Sequence, residues 1–198
     1  MKVDLRKSLF ILPNLFTLSS VLCGYYAILI LSDRATSDDF YRAALLIIFA
    51  LFFDGIDGRV ARLTKTQSAI GVQLDSLADV ISFGVAPAIL VYYWSLSELG
   101  TAGMLVGFLF VAAGAIRLAR FNVMSTSDDG QPHEPGKYTQ GLPIPAAAGI
   151  LISIVVANTL TGKLPFTPII ISALVLMLAL FMVSSMPFRS FKDLRLSW

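Results

Sequence analysis

The sequence predicts an all-α integral membrane protein with six transmembrane helices. Hydrophobic residues fill 56% of its 198 positions, charged residues fill 14%, and the mean hydropathy is +0.77, values that soluble domains rarely reach. The apolar residues are also gathered into six runs, and about 20 apolar residues in a helix cross the hydrocarbon core of a bilayer. We expect one membrane domain, residues 1–198, with spans at about 12–31, 41–61, 69–94, 99–121, 143–160 and 166–186.

The segment before the first span, Met1 to Phe10, mixes basic and apolar residues. It is predicted to be a short amphipathic helix on an anionic membrane surface, with a disordered tail as the alternative. The run that follows is too long for the core of a signal peptide, and no small-residue cleavage site comes after it, so we expect a retained span. This span holds Cys23, the single cysteine of the chain, so an intramolecular disulfide is excluded.

Polar segments separate the six runs, at residues 32–39, 64–68, 95–100, 125–140 and 161–165. If the spans alternate in direction, all of the 15 lysines and arginines except Arg34, Arg42 and Lys163 fall on one side, three in each of four segments. Because positive charge accumulates on the cytoplasmic side, both termini are predicted to be cytoplasmic. The 125–140 segment is the longest connection on that side. It is predicted to be a solvated loop, or one that orders over bound substrate.

Four aspartates lie at the cytoplasmic ends of the second and third spans, where carboxylates are costly and usually mark an ion or substrate site. With about 100° per residue, the polar residues of the second span cover about 140° of the helix and those of the third about 80°. The short connection predicts that the two helices are antiparallel neighbours, so all four carboxylates point into one volume. The pattern is Asp54-x-x-Asp57-Gly58-x-x-Ala61-Arg62, eight residues, then Gly71-x-x-x-Asp75-x-x-x-Asp79.

Four carboxylates in one volume repel each other at low dielectric, and Arg62 is the one cation on the same face. Oxygen ligands without nearby histidine or cysteine favour Mg²⁺ or Mn²⁺, with Ca²⁺ as an alternative. Two such ions would form the clamp that enzymes use for phosphoryl transfer. Gly58, Ala61 and Gly71 would then leave room for a bulky ligand, and helix packing is the alternative reason for the glycines.

The pattern over residues 54–79 resembles the signature of the CDP-alcohol phosphatidyltransferase (CDP-alcohol phosphotransferase) family, and every fixed position is filled. The resemblance implies a homodimer of six-helix subunits, two divalent cations, a CDP-linked lipid held by its diphosphate, and CMP as the leaving group. It makes the four aspartates metal ligands and Asp79 also the general base for the acceptor hydroxyl. The residues it implies for donor binding are Gly58, Ala61, Arg62, Ser68 and Gly71, together with Asn14 and Thr17 of a Pro13-Asn14-x-x-Thr17 motif that alternatively caps a helix.

Residues 79–88, 117–122 and 141–147 resemble the phosphatidylserine synthase branch of this family. Val80 stands where branches that use glycerol phosphate or inositol phosphate usually have a basic residue, which favours L-serine as the acceptor. Arg117 or Arg120 is expected to clamp its carboxylate or to bind the lipid phosphate, or both arginines only anchor the fourth span at the headgroups. Asn122, Ser82 or a backbone carbonyl of residues 141–145 is expected to accept from its ammonium group.

The expected reaction is transfer of a phosphatidyl or archaetidyl group from CDP-diacylglycerol or a CDP-ether lipid to serine. Glycerol 3-phosphate or an inositol phosphate is the alternative acceptor. A divalent-cation transporter is a remote alternative, since intramembrane aspartates also line ion pathways, but here the aspartates cluster at one face. No nucleic-acid partner is expected, and His133, the single histidine, is given no catalytic role.

Overall fold

The fold is all-α, as predicted. The computed structural model describes residues 5–32, 34–64, 68–125, 138–161 and 168–189, with the backbone alone for residues 5–12, 62, 69, 125, 138, 139 and 187–189. A π-helical turn, Val80–Val85, and a 3-10 turn, Leu96–Leu99, interrupt the helices. The α-helices are α1 (Leu5–Leu29), α2 (Ser37–Thr64), α3 (Ala69–Asp79), α4 (Ala86–Trp94), α5 (Thr101–Ser125), α6 (Ile144–Thr161) and α7 (Pro168–Val183).

These elements form six helical rods in the described residues, because α3, the π turn and α4 run on as one helix. In the part of the chain that the structure describes, three helices are long and apolar enough to cross a membrane, Ile70–Trp94, Thr101–Met124 and Ile144–Thr161, and two apolar helices are shorter, Pro13–Leu29 and Pro168–Val183. α2 has 28 residues, about 42 Å at 1.5 Å per residue, but its second half carries the aspartate motif. The number of rods agrees with the sequence, while the membrane limits of each span stay a prediction.

The π turn has a local cause in Pro87. A proline has no N–H to donate, and its ring collides with the carbonyl four residues before it, here that of Phe83. The turn widens instead, and the N–H of Ala86 bonds to the carbonyl of Ile81, five residues back. Such wide turns occur mainly as single turns inside α-helices, frequently at functional sites, and this one begins directly after Asp79.

Large apolar side chains cover the outside of the rods. Leu22 is 65% exposed, Phe108 63% and Leu180 72%, levels that a water-soluble surface of this extent would not carry. The inside is packed around buried side chains that include Phe83, Phe110, Ile144 and Met182. An apolar exterior around helices that satisfy their own backbone hydrogen bonds is the arrangement that a bilayer requires.

α1 is the common neighbour of the two aspartate-bearing rods. It packs along α2 and also contacts α3, whereas α2 meets the third rod mainly through the π turn and α4. The direct antiparallel packing of α2 on α3 that the short connection predicts is therefore slight next to their shared contact with α1. Elsewhere α2 packs on α6, and α5 packs on α7.

A short antiparallel pair of strands, not predicted from the sequence, joins β1 (Tyr138–Gln140) to β2 (Pro187–Arg189). The following Gly141 has a φ of 76°, a left-handed conformation that glycine adopts without strain. Its N–H bonds to the carbonyl of Met186 at 3.0 Å, and a side chain here would collide with the carbonyl of Met182. The segment before α6 is thereby tied to the end of α7.

Candidate metal and substrate site

Three carboxylates meet between α2 and α3. Asp54, Asp57 and Asp75 each offer one oxygen, and these oxygens lie within 4.8 Å of one another. Asp54 and Asp57 are nearly one turn apart on α2, and Asp75 comes from α3, so the helices converge through these side chains although their backbones are held mainly by α1. Asp57 is only 4% exposed. The structure thus brings together three of the four predicted metal ligands.

Asp79, the fourth, lies one turn after Asp75 and within hydrogen-bonding reach of Asp54. Two carboxylates this close require a proton or a cation between them. The Oδ1 atom of Asp79 is buried and has no hydrogen-bond partner among the residues that the structure describes. A buried acceptor without a partner costs about 1–3 kcal/mol, so this atom is placed for a group that the described residues do not provide.

The donor set fits a hard divalent cation. All candidate ligand atoms are carboxylate oxygens, which suit Mg²⁺, Mn²⁺ or Ca²⁺, and neither histidine nor cysteine belongs to the cluster. The unpartnered Oδ1 of Asp79 agrees with a ligand or proton acceptor left open. The chain therefore carries a site whose residues match a divalent metal.

Arg117 is the buried cation next to the carboxylates. It projects from α5, is 7% exposed, and is near enough to Asp79 for the two charges to interact. Its guanidinium carbon lies 6.0 Å from the centre of the Phe121 ring. Its Nε atom has no hydrogen-bond partner in the described part of the chain. A free donor and a free acceptor, on Arg117 and Asp79, are thus buried close together.

The other predicted acceptor residues have partners within the protein. The guanidinium of Arg120 donates to the carbonyls of Val183 (3.0 Å) and Ser184 (3.1 Å) at the end of α7. The hydroxyl of Ser82 is fully buried in the π turn and donates to the carbonyl of Ser20 at 3.1 Å. These contacts tie helices together, and contact of Arg120 or Ser82 with the acceptor stays a prediction.

Asn122, at the end of α5, belongs to a polar cluster with α3. Its Nδ2 donates to the Ser76 hydroxyl at 2.9 Å and lies 3.4 Å from Oε1 of Gln73. Because Ser76 directly follows Asp75, the cluster fixes α5 beside the carboxylate-bearing turn of α3. Neither Ser76 nor Gln73 was predicted from the sequence. Residues three apart lie on the same face of a helix, so the spacing of Gln73 and Ser76 on a helix that carries site residues could have identified this face.

The residues predicted to bind the donor come from three helices. Ser68 caps α3, and its hydroxyl accepts from the N–H of Gly71 at 3.0 Å. Asn14 of α1 lies over the same turn, since a Cβ added to Gly71 would be 3.6 Å from its Oδ1. Thr17 instead donates to Oδ2 of Asp57 at 2.7 Å. Asn14, Ser68 and Gly71 are therefore brought together, and Thr17 faces the carboxylates.

The remaining predicted donor residues lie on α2, after the first aspartates. Gly58 and Ala61 are half-buried and follow Asp54 by four and seven residues, on the same side of the helix. The side chain of Arg62 lies outside the described residues, as do His133 and the rest of residues 126–137. Residues 1–4 and the side chains of residues 5–10, predicted to be amphipathic, also lie outside them, although α1 is helical from Leu5.

Comparisons with known proteins show what this chain is similar to. The family model described as CDP-alcohol phosphatidyltransferase matches residues 10–188. A CDP-diacylglycerol–serine O-phosphatidyltransferase from Helicobacter pylori is 41% identical over 191 residues, 94% of this chain and 75% of the relative. An archaetidylserine synthase from Methanothermobacter thermautotrophicus is 38% identical over 170 residues, 85% of this chain and 67% of the relative. A Saccharomyces cerevisiae protein with the same name as the Helicobacter relative is 35% identical over 145 residues, 71% of this chain and 52% of that protein.

Proposed function

This chain is a membrane transferase that belongs to the CDP-alcohol phosphatidyltransferase family, and we propose that its acceptor is L-serine and its donor a CDP-linked lipid. The products are a phosphatidylserine, or its ether-lipid counterpart, and CMP. Relatives named for serine transfer support this acceptor. The ether-lipid donor has support in one relative, which is named archaetidylserine synthase.

The observation that carries the choice of acceptor is the pair of unpartnered buried atoms, Oδ1 of Asp79 and Nε of Arg117. Serine offers a hydroxyl that donates to the first and a carboxylate that accepts from the second. A phosphate dianion would require more positive charge, and Arg120 is already engaged by carbonyls of α7. One buried guanidinium balances the single negative charge of a carboxylate but only half of the charge of a phosphate dianion.

Asp54, Asp57, Asp75 and Asp79 would hold the divalent cations. When bound, these ions offset the charge of the diphosphate and of the departing CMP. Mg²⁺ and Mn²⁺ are the proposed ions, because the ligands are all oxygen and carboxylate-rich sites that bind phosphates commonly use them.

Asp79 takes the proton in the transfer step. Its free Oδ1 accepts the proton of the serine hydroxyl as the serine oxygen forms a bond to the lipid-bearing phosphorus. The bond between that phosphorus and the bridging oxygen breaks, and the bridging oxygen leaves with CMP. Arg117 holds the serine carboxylate, so the hydroxyl is aimed at the phosphorus and at Asp79 together.

The donor is proposed to lie between α2 and α3, near the start of α3, which is the end of the third rod opposite α4. Asn14, Ser68 and Gly71, which lie together at the start of α3, would line one wall of this space, and the small residues Gly58 and Ala61 lie on α2. Arg62 would face the diphosphate from the same helix. We further propose that this end of the bundle is cytoplasmic, from the distribution of lysine and arginine, and that the protein is a homodimer.

The acceptor panel is the decisive experiment. The purified chain, in detergent micelles containing CDP-diacylglycerol or a CDP-ether lipid and Mn²⁺, is given serine, glycerol 3-phosphate or an inositol phosphate, and CMP release is followed. We expect release with serine and little with the phosphorylated alcohols. Asp79→Asn is the control, expected to lose roughly 100-fold or more of the rate while still binding the CDP-lipid. Faster release with a phosphorylated alcohol would refute serine as the acceptor.

A further inference from the structure

The hydroxyl of Thr17 is committed to a carboxylate. Thr17 is 5% exposed and Asp57 4%, and Oγ1 of the first lies 2.7 Å from Oδ2 of the second. The carbonyl of Pro13 is also near, at 3.2 Å, but a hydroxyl has one proton to donate. The shorter contact, to a charged acceptor, is the stronger hydrogen bond. The proton therefore points at Asp57.

This hydrogen bond fixes the orientation of Asp57. A carboxylate can rotate about its last bond and offers about four lone-pair positions. Thr17 takes one position on Oδ2, and one oxygen of the same carboxylate lies within 4.8 Å of an oxygen of Asp54 and of Asp75. Partners of this kind set the direction and basicity of metal ligands, and their loss typically lowers metal affinity 10- to 100-fold.

The packing of α1 explains how this hydrogen bond can affect the metal site. α1 touches both α2 and α3, whereas α2 meets the third rod mainly at the π turn and α4. The relative position of Asp57 and Asp75 is thus set through α1. A hydrogen bond from α1 to Asp57 therefore helps to hold the carboxylates of α2 in position relative to those of α3.

We propose that Thr17 is a positioning residue of the metal site: it orients Asp57 and so strengthens binding of the divalent cation. The sequence pattern instead predicts that Thr17 contacts the CDP-lipid. The proposal rests on the metal site of the proposed function, and it is independent of which alcohol accepts the phosphatidyl group.

The test measures metal binding directly. Mn²⁺ is titrated into the metal-free protein without CDP-lipid, and free Mn²⁺ is followed by electron paramagnetic resonance. Thr17→Val keeps the shape and removes the donor, and we expect its Mn²⁺ dissociation constant to rise 10- to 100-fold. Thr17→Ser restores the donor and should bind within a fewfold of the wild type. Ser19→Ala is the matched control, since the Ser19 hydroxyl donates to its own helix, at the carbonyl of Leu15 (2.9 Å).

Thr17→Ala removes the same hydroxyl with a different shape. A loss shared by the Val and Ala variants, and absent from the Ser variant, supports the hydroxyl as the cause and excludes a packing fault. Wild-type Mn²⁺ affinity in Thr17→Val would overturn the proposal, and a raised KM for CDP-lipid at saturating Mn²⁺ would then identify Thr17 as a donor contact. A wild type that binds Mn²⁺ but gives no CMP release with serine would refute the proposed function and leave this proposal standing.

Discussion

Arg117 and Arg120 are three residues apart on α5, yet their surroundings assign them different tasks. Arg120 donates to two carbonyls at the end of α7, where a helix leaves carbonyls without partners. Arg117 is buried beside Asp79, and its Nε has no hydrogen-bond partner among the described residues. The sequence shows two similar cations, and the partners around each one are the basis for proposing that Arg117 binds the acceptor while Arg120 supports the end of α7.

Arg117→Gln is expected to impair serine use. Loss of a hydrogen bond to a charged group costs about 1.5–3 kcal/mol, which corresponds to roughly a 10- to 150-fold fall in kcat/KM for serine. The KM for CDP-lipid should stay near the wild-type value. Steady-state kinetics with each substrate varied in turn measure both quantities.

Arg120→Gln is the matched variant for this comparison. It should lower the melting temperature in detergent, because two carbonyls of α7 lose their donor, and should change the serine KM less than Arg117→Gln does. An unchanged serine KM in Arg117→Gln would contradict the role of Arg117, and a larger rise in Arg120→Gln would move that role to Arg120.

The four aspartates are predictable residue by residue, because their spacing of three and four is the period of a helix and their cost at membrane depth demands a ligand. The contact of Thr17 with Asp57 is not. It joins residues forty positions apart on different helices, and its existence depends on how α1 is rotated against α2. Sequence spacing gives the face of each helix but not the partner that the face meets.

At the scale of the elements, α2 begins with a capping box. Thr36 and Asp39 bond reciprocally: the N–H of Thr36 donates to Oδ2 of Asp39 at 2.9 Å, and the N–H of Asp39 lies 3.3 Å from the Thr36 hydroxyl. Asp39 precedes the predicted second span. Its hydrogen bonds from the backbone N–H and the hydroxyl of Thr36 lower the pKa of Asp39 below its ordinary value.

This lowered pKa predicts a pH-dependent contribution to stability. The folded protein binds the Asp39 proton less tightly than the unfolded chain, so the contribution is complete above the unfolded pKa of about 3.9 and is lost as the pH falls through the lower folded value. Asp39→Ala should therefore lower the melting temperature more at pH 7 than at pH 3. Asp38→Ala, which removes an exposed ion pair with Arg42 (2.8 Å), should have little effect at pH 7. Equal losses for Asp39→Ala at both pH values would contradict this account.

The contact of α1 with the π turn depends on Gly24. A Cβ added there would lie 2.9 Å from the Cα of Ser82, a backbone atom that cannot give way without moving a helix. Gly24→Ala should destabilise the protein by about 1–3 kcal/mol and reduce transfer, because the π turn adjoins Asp79. Unfolding in denaturant and CMP release measure the two effects.

Gly149→Ala is the control for this substitution. It lies within α6 and would meet no atom within 4 Å, so it should be neutral or stabilise the helix by up to about 1 kcal/mol. If both substitutions had the same effect, helix propensity would account for the result and close packing at Gly24 would not.

At the scale of the whole molecule, the carboxylate cluster should make stability depend on metal. Without a cation, Asp54, Asp57 and Asp75 repel one another at less than 4.8 Å between their nearest oxygens. A chelator should stop CMP release and lower the melting temperature, and Mg²⁺ or Mn²⁺ should restore both. At 100 times its dissociation constant, a bound ion adds about 2.7 kcal/mol of stability.

Asp75→Asn distinguishes the effect of repulsion among the carboxylates from the effect of metal binding. In chelator this variant should melt at or above the temperature of the wild type, because one like charge is gone, and added Mn²⁺ should raise its melting temperature much less. A variant that melted below the wild type in chelator and gained as much from Mn²⁺ would argue that Asp75 is structural and not a ligand.

The six-rod architecture could be predicted because helices in a bilayer have a nearly fixed length. The third rod agrees with its predicted span, 69–94, at both ends. The β1–β2 pair could not be predicted, since it joins residues about fifty positions apart in strands of three residues. The sequence also did not predict that α1 packs on both α2 and α3 while these two helices contact each other little. A short connection limits the distance between the ends of two helices but does not set the angle at which they cross.

The π turn after Asp79 makes the third rod one residue longer than a regular helix of the same rise. The residues before and after the turn are therefore out of phase with the 3.6-residue repeat of a single regular helix. If the same residues formed an ordinary helix, Asp75 and Asp79 would be turned by about 100° around the axis relative to α4. The wide turn therefore absorbs the extra residue and keeps the two carboxylates directed toward Asp54 and Asp57.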